Sequence, residues 1–309
     1  MVLINYIVMC LIFGTTFLAI KVGIDAGAPP FFSGGIRFFL AGTILFSFMV
    51  WRGKTRVSLL FCKEMFLTGI GLTFGTFATL YWAEQYLSSG IAAVLSATAP
   101  LMVMLLQTTL SRQKLSAASW AGCLVGFAGV ILLILPGVSF TFSTSWLIGC
   151  IAVLVGQVFY SGGAVYSRRV IQRFQDVSPI ALNAAQMMYG GAMLLVLSFF
   201  TEQVHVQSMF TPQAVISLLY LIFVGSMMGH TIFYWLVAKT NPVFPSTWLY
   251  ISPLIALTLG VILYNEPLSL LSLVGGITII SGIILINLNS LKQLLDKRPS
   301  MLGKISNHR

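Results

Sequence analysis

Residues 81–102 read YWAEQYLSSGIAAVLSATAPLM, and residues 234–255 read YWLVAKTNPVFPSTWLYISPLI. Both begin with Tyr-Trp and both reach Pro-Leu at the same place, so Tyr81-Trp82 recurs as Tyr234-Trp235 and Pro100-Leu101 as Pro253-Leu254, 153 positions on. The offset continues downstream: Leu115-Ser116 recurs as Leu268-Ser269, Gly122 as Gly275 and Gly129 as Gly282. Upstream it drifts as loop lengths differ, with Pro30 meeting Pro179 and Arg37 meeting Gln186 at 149, and Gly14 meeting Gly162 at 148. A proline inside a helix removes a donor and clashes with the preceding turn, at about 3 kcal/mol or more. Two prolines kept in register within long apolar runs are therefore part of a plan that the chain writes twice.

The rest of the composition says where that plan is carried out. Of 309 residues, 58% are hydrophobic and 8% charged, with a mean hydropathy of +0.95. A soluble domain carries about 25% charged residues. Ten apolar runs fall at 3–24, 31–51, 65–86, 91–110, 117–136, 146–167, 179–200, 213–238, 244–264 and 269–288. Each is close to the ~20 residues a helix needs to cross the hydrocarbon core. They lack the period-two alternation of barrel strands, and lipid offers unpaired backbone no partner, so helices are expected. The fold class expected is an all-α membrane protein of ten transmembrane helices.

The net charge of +10 is placed as a membrane protein places it, not as a nucleic-acid binder does. Of the 17 basic residues, all but Lys21 and Arg37 lie in the loops after the second, fourth, sixth and eighth runs or in the C-terminal tail. Basic loops mark the cytoplasmic face, which puts both termini there. With no basic residue ahead of Lys21, the first run lacks the n-region of a secretory signal and reads as a span. Five spans per copy is an odd number, so the second copy begins on the opposite face, and the two copies form an inverted repeat. The organisation expected is a first repeat over 1–137, a connection at 138–145, a second repeat over 146–290 and a basic cytoplasmic tail at 291–309.

The segments FGTTFLAIK (13–21), GGIRFFLAG (34–42), residues 81–102 and WAGCLVGFAGVILLI (120–134), with their second-copy counterparts, resemble the EamA family of the drug/metabolite transporter superfamily. The resemblance covers nearly all of residues 1–290. It implies a ten-helix exporter of small metabolites or drugs in a bacterial plasma membrane, with a central cavity between the repeats. It also implies an acidic residue before the Leu-Ser that opens spans 5 and 10. The second copy keeps Glu266, whereas the first reads Arg112-Gln113-Lys114.

Charged residues inside a membrane point to a bundle interior. Lys21 and Arg37 are expected to face the outer half of the cavity and attract an anion or a carboxylate. The bland alternatives are that Lys21 snorkels and that Arg37 pairs with Glu84 or Asp25. His230 is the titratable side chain best placed for a proton switch, with packing as the commoner use of a lone histidine. Thr15, Tyr160, Asn183 and Gln186 place polar groups inside spans, either on the substrate pathway or as interhelical glue. Tyr81, Trp82 and Trp235 can stack a substrate or sit in an interfacial belt. Pro100 and Pro253 are expected to bend spans 4 and 9 around the cavity.

Other classes of function find no support. There is no HExxH, GxSxG or Walker motif, so no enzyme is expected and no cofactor. Cys10, Cys62, Cys123 and Cys150 make no CxxC pair and suggest neither zinc nor a disulfide framework. The partners expected are a small-molecule substrate and the lipid bilayer, with no nucleic acid; oligomeric state is not readable. A channel or uptake permease is the rival within transport, and alternating access favours the transporter.

Overall fold

The computed structural model describes residues 1–111, 116–135, 143–204, 209–255 and 269–296. Glu266, Arg112, Lys114, most of the 138–145 connection and the tail beyond 296 lie outside the described residues. Among those described, the chain is helical, with no strand. We label the helices α1 (Val2–Gly14), α2 (Thr16–Asp25), α3 (Pro30–Trp51), α4 (Lys63–Ala83), α5 (Ser89–Ser96), α6 (Ala99–Ser111), α7 (Ala117–Ile134), α8 (Thr144–Arg173), α9 (Pro179–Thr201), α10 (Pro212–Lys239), α11 (Val243–Ile255) and α12 (Leu270–Asp296). Seven stretches are long and apolar enough to cross a membrane: Val2–Asp25, α3, α4, Ser89–Leu110, α8, α9 and α10. Shorter apolar helices fall at Ala117–Leu133, Val243–Ile255 and Leu270–Ile286, where the sequence predicts spans 5, 9 and 10. This is a multi-span membrane protein. Its outer surface carries exposed Ile44, Phe48, Leu124, Val158 and Phe199, which suits a lipid solvent.

Local chemistry explains the helix ends. Pro30, Pro179 and Pro212 occupy first turns, where their missing N–H and fixed φ cost nothing. Ser88, Ser116, Ser143, Ser178 and Thr211 cap helix starts by accepting a backbone N–H. The first crossing breaks at Thr15, whose hydroxyl donates to the Ile12 carbonyl at 2.8 Å. The crossing that contains Pro100 breaks at Ala97–Thr98, so Pro100 falls in the first turn of α6, and the Thr98 hydroxyl satisfies the Leu95 carbonyl at 2.7 Å. In the second copy α11 breaks at Thr247, whose hydroxyl donates to the Phe244 carbonyl at 2.7 Å. Its proline therefore sits further beyond its break than Pro100 does. Within α4 and α10 the backbone widens into π turns, at Gly69–Gly75 and Leu221–His230. Such turns cluster at functional sites.

Two antiparallel helix pairs hold the bundle, and their contacts are reciprocal. In α7 and α12 the backbones meet so closely that a Cβ on Gly122 would lie 2.6 Å from the Gly282 oxygen, and one on Gly275 2.8 Å from the Gly129 oxygen. The Ser119 hydroxyl donates to the Ile286 carbonyl at 3.3 Å, and Ser272 donates to Leu133 at 2.9 Å. Every residue in one contact is 153 positions from its counterpart in the other. In α3 and α9, Gly42 abuts the Ala184 carbonyl while Gly191 abuts that of Gly35, again as mates, 149 positions apart. In both pairs the contacts exchange i with j, as in a self-complementary interface. Small residues permit this approach where lipid removes the usual hydrophobic drive.

Candidate functional site

The helix breaks and π turns converge on one central cavity, enclosed by α1, α2, α3, α4, α5, α8, α10 and α11. Its volume is about 40 Å³. That accommodates a few waters, each needing roughly 10–15 Å³ on this measure, but no metabolite. The molecule is thus closed around its centre. The wall is mostly apolar, with the aromatic rings of Phe13, Phe17, Phe77, Phe233 and Trp248 beside Leu72, Leu80 and Leu249. Against it stand Thr16, Arg37, Thr76, Ser96, Gln157, Tyr160 and His230.

Arg37 dominates the site. It is 1% exposed, in the middle of α3. Its Nε donates to Ser226 Oγ at 2.8 Å, and Nη1 reaches the Tyr81 hydroxyl at 3.4 Å. Its guanidinium carbon lies 4.5 Å from the centre of the Phe38 ring and 5.1 Å from that of Phe77. Among the described residues no carboxylate comes within 4.0 Å of it; Asp25 pairs with Lys21 at 3.0 Å instead, and Glu84 pairs with no cation. The structural pairing offered as an alternative for Arg37 is therefore absent. A buried guanidinium held by two neutral hydroxyls and two ring faces retains donors for an incoming anion, for which its planar fork suits a carboxylate. Gly225 makes room: a Cβ there would lie 3.2 Å from Nη2.

Around Arg37 the wall is ordered by edge contacts and short polar bonds. The His230 ring lies 5.1 Å from Phe13, 5.5 Å from Phe38 and 5.8 Å from Phe77. Tyr160 accepts from Trp248 Nε1 at 3.2 Å, and Gln157 donates to Ser96 Oγ at 3.1 Å. The ends of the bundle are closed separately. At one, Lys21 bonds Asp25 and donates to the Glu84 carbonyl at 2.9 Å, strapping α2 to the end of α4. At the other, Tyr6 bonds Thr247 at 2.7 Å, and Glu64 pairs with Arg173 at 2.9 Å.

A family model described as the EamA-like transporter family matches residues 1–135 and again 147–288. The chain belongs to that family. Similar EamA-type chains include the uncharacterized inner membrane transporter YedA of Escherichia coli K12, 27% identical over 292 residues that cover 94% of this chain and 90% of YedA. The uncharacterized transporter YoaV of Bacillus subtilis is 28% identical over 283 residues, covering 91% and 95%. A solved crystal structure matches with a TM-score of 0.74 at 19% identity, covering 93% of this chain and 98% of the other, which is a likeness of fold. As an EamA-type chain of this length and helix content, the protein is a membrane transporter.

The structure gathers some of the expected site residues and separates others. Arg37, Tyr160 and His230 line the cavity, and Tyr81 stands behind Arg37 as its acceptor. Lys21 lies at the strap, outside the cavity wall. Thr15 sits at the break of the first crossing and bonds the Tyr220 hydroxyl at 2.5 Å, leaving the lining to its neighbour Thr16. Asn183 and Gln186 do not reach the cavity. Gln186 donates to Asn183 Oδ1 at 3.1 Å and accepts from Thr73 at 2.8 Å, which is glue between α4 and α9. The Trp82 ring is tilted against Tyr86 with centres 5.1 Å apart, Trp235 is half-buried against the core, and Pro100 and Pro253 are buried, Pro100 beside its helix break and Pro253 further along α11. Sequence reasoning missed Phe13, Phe17, Phe77, Ser226 and Trp248. One signal was available for Phe77: it stands 153 positions before His230, as Leu80 stands before Phe233 and Ser96 before Leu249, and all six line the cavity.

Proposed function

We propose that this protein is a secondary exporter of small metabolites that bear a carboxylate and an apolar body, amino acids and related compounds among them, working by alternating access. The observation that carries the reading is Arg37, buried at the wall of a small cavity with, among the described residues, no carboxylate within 4.0 Å. A cargo carboxylate would take the open donors, and Phe13, Phe17, Phe77 and Trp248 would take the apolar body. On this reading the small cavity belongs to a closed state, and substrate access requires opening at one end or the other.

The architecture behind this reading is ten spans in two inverted repeats, in the plasma membrane, with both termini cytoplasmic. The reciprocal contacts of α7 with α12 and of α3 with α9 support it, as do the π turns in both α4 and α10. Related halves that exchange conformations convert an inward-open cavity into an outward-open one around a fixed site. Counterflow in proteoliposomes tests the function, using a panel of labelled amino acids and other carboxylates, with and without a pH gradient. Saturable exchange of one class is expected. Ion current without saturable exchange would show a channel instead, and a covalently altered product an enzyme.

A further inference from the structure

Glu84 follows the last residue of α4 and is 0% exposed. Among the described residues, neither of its carboxyl oxygens has a hydrogen-bond partner. Lys21 donates to the backbone carbonyl of Glu84, not to its carboxyl, and pairs with Asp25. Arg37 donates to Ser226 and Tyr81 and makes no contact with the Glu84 carboxyl within 4.0 Å. The charged and titratable groups facing Glu84 are thus Lys21 and Asp25 from α2, Arg37 from α3, and Tyr81 of its own helix.

An ionised carboxylate buried with no donor is strongly disfavoured, so this environment accepts the neutral acid. The alternatives to a proton fail on geometry. Glu84 is not part of the cavity wall, so a cargo ammonium in the cavity does not meet it. Among the described residues no group of three His, Cys, Asp or Glu side chains could hold a metal ion. A proton needs no further ligand and no space.

We propose that Glu84 is a proton-binding site of the transporter, neutral in this state and ionised against Lys21 when Lys21 leaves the Glu84 backbone carbonyl. In that step the carboxyl O–H breaks, the proton passes to water at that face, and the carboxylate keeps the electron pair. The Lys21 ammonium then exchanges the Glu84 backbone carbonyl for the Glu84 carboxylate, a short movement within one residue. Deprotonation and the change of the Lys21 contact between α2 and α4 from a carbonyl bond to an ion pair are thereby one event. This deepens the transport reading and rests on it for its purpose, but proton binding itself is a property of the folded chain.

Infrared difference spectra of the purified protein in lipid nanodiscs, titrated from acidic to alkaline buffer, test it without any cargo. Wild type is expected to show a protonated-carboxyl carbonyl band at neutral pH that disappears on alkalinisation, and Glu84→Gln to lose that band. Lys21→Met removes the cation that would stabilise the carboxylate, so the band should persist to higher pH, by about one unit or more. An identical band in wild type and Glu84→Gln overturns the proposal, as does a titration that Lys21→Met leaves unmoved. Should Glu84→Gln fail to fold, Glu84→Asp replaces it: a displaced band supports the assignment and an unchanged one overturns it. A band that titrates as expected while no metabolite shows counterflow leaves the proton site standing and removes the transport reading. Counterflow with an unchanged band removes the proton site alone.

Discussion

Arg37 and Gln186 stand 149 positions apart at corresponding places in α3 and α9, two helices packed against each other, and they do opposite things. Gln186 closes a polar network with Thr73 and Asn183, away from the cavity. Arg37 faces the cavity with neutral partners and, among the described residues, no counter-ion within 4.0 Å. The same contrast holds 153 positions apart in α4 and α10, where Phe77 and His230 both reach the cavity but only one brings a polar ring. The shared features (π turns, broken helices, glycine contacts) build the scaffold. The departures from symmetry set the polar groups of the cavity wall, Arg37 from one half and His230 from the other.

Making the two halves alike is the sharpest way to break this comparison. Arg37→Gln should weaken carboxylate binding by roughly thirty- to a hundred-fold, from about 2–3 kcal/mol of charge-assisted hydrogen bonding. Concentration dependence of counterflow reads this, and an unchanged half-saturation would remove Arg37 from the site. The scaffold contacts come next in size. Gly122→Ala and Gly275→Ala each push a methyl into a facing backbone and should cost about 1–3 kcal/mol. Since they are mates, their unfolding midpoints in mild detergent should fall by similar amounts; a large inequality would argue against that correspondence. Gln186→Leu strands the Thr73 hydroxyl and the Asn183 amide and should cost about 1–2 kcal/mol of stability. It should leave cargo affinity unchanged, which separates glue from site. The smallest effects belong to Ser119→Ala and Ser272→Ala, at about 0.6 kcal/mol each, the average for interhelical polar bonds in a membrane.

The scaffold was largely legible because its signals are local and repeated. Apolar length announces helices, and the 153-position offset already contains the Gly122–Gly275 and Gly129–Gly282 correspondences that the helix contacts then use. The site was legible where charge is rare, since Arg37 inside an apolar run has few uses. It was poorly legible among the polar and aromatic residues. Nothing in the spacing of Gln186 and Gln157 says that one turns into a helix–helix interface and the other into the cavity. Phe13, Phe17 and Trp248 look like any core aromatics until the breaks at Thr15 and Thr247 rotate their helices inward. Glu84 looked like a span-end charge, and only packing reveals it as buried and unpartnered.

The central claim is that the buried guanidinium of Arg37 recognises a cargo carboxylate within the central cavity. Counterflow in proteoliposomes measures it most directly, comparing a transported acid with its neutral amide in wild type and in Arg37→Gln. The account predicts that wild type prefers the acid by at least roughly thirty-fold and that Arg37→Gln abolishes the preference while the protein stays folded. Equal transport of acid and amide by wild type, or an undiminished preference in Arg37→Gln, would contradict it.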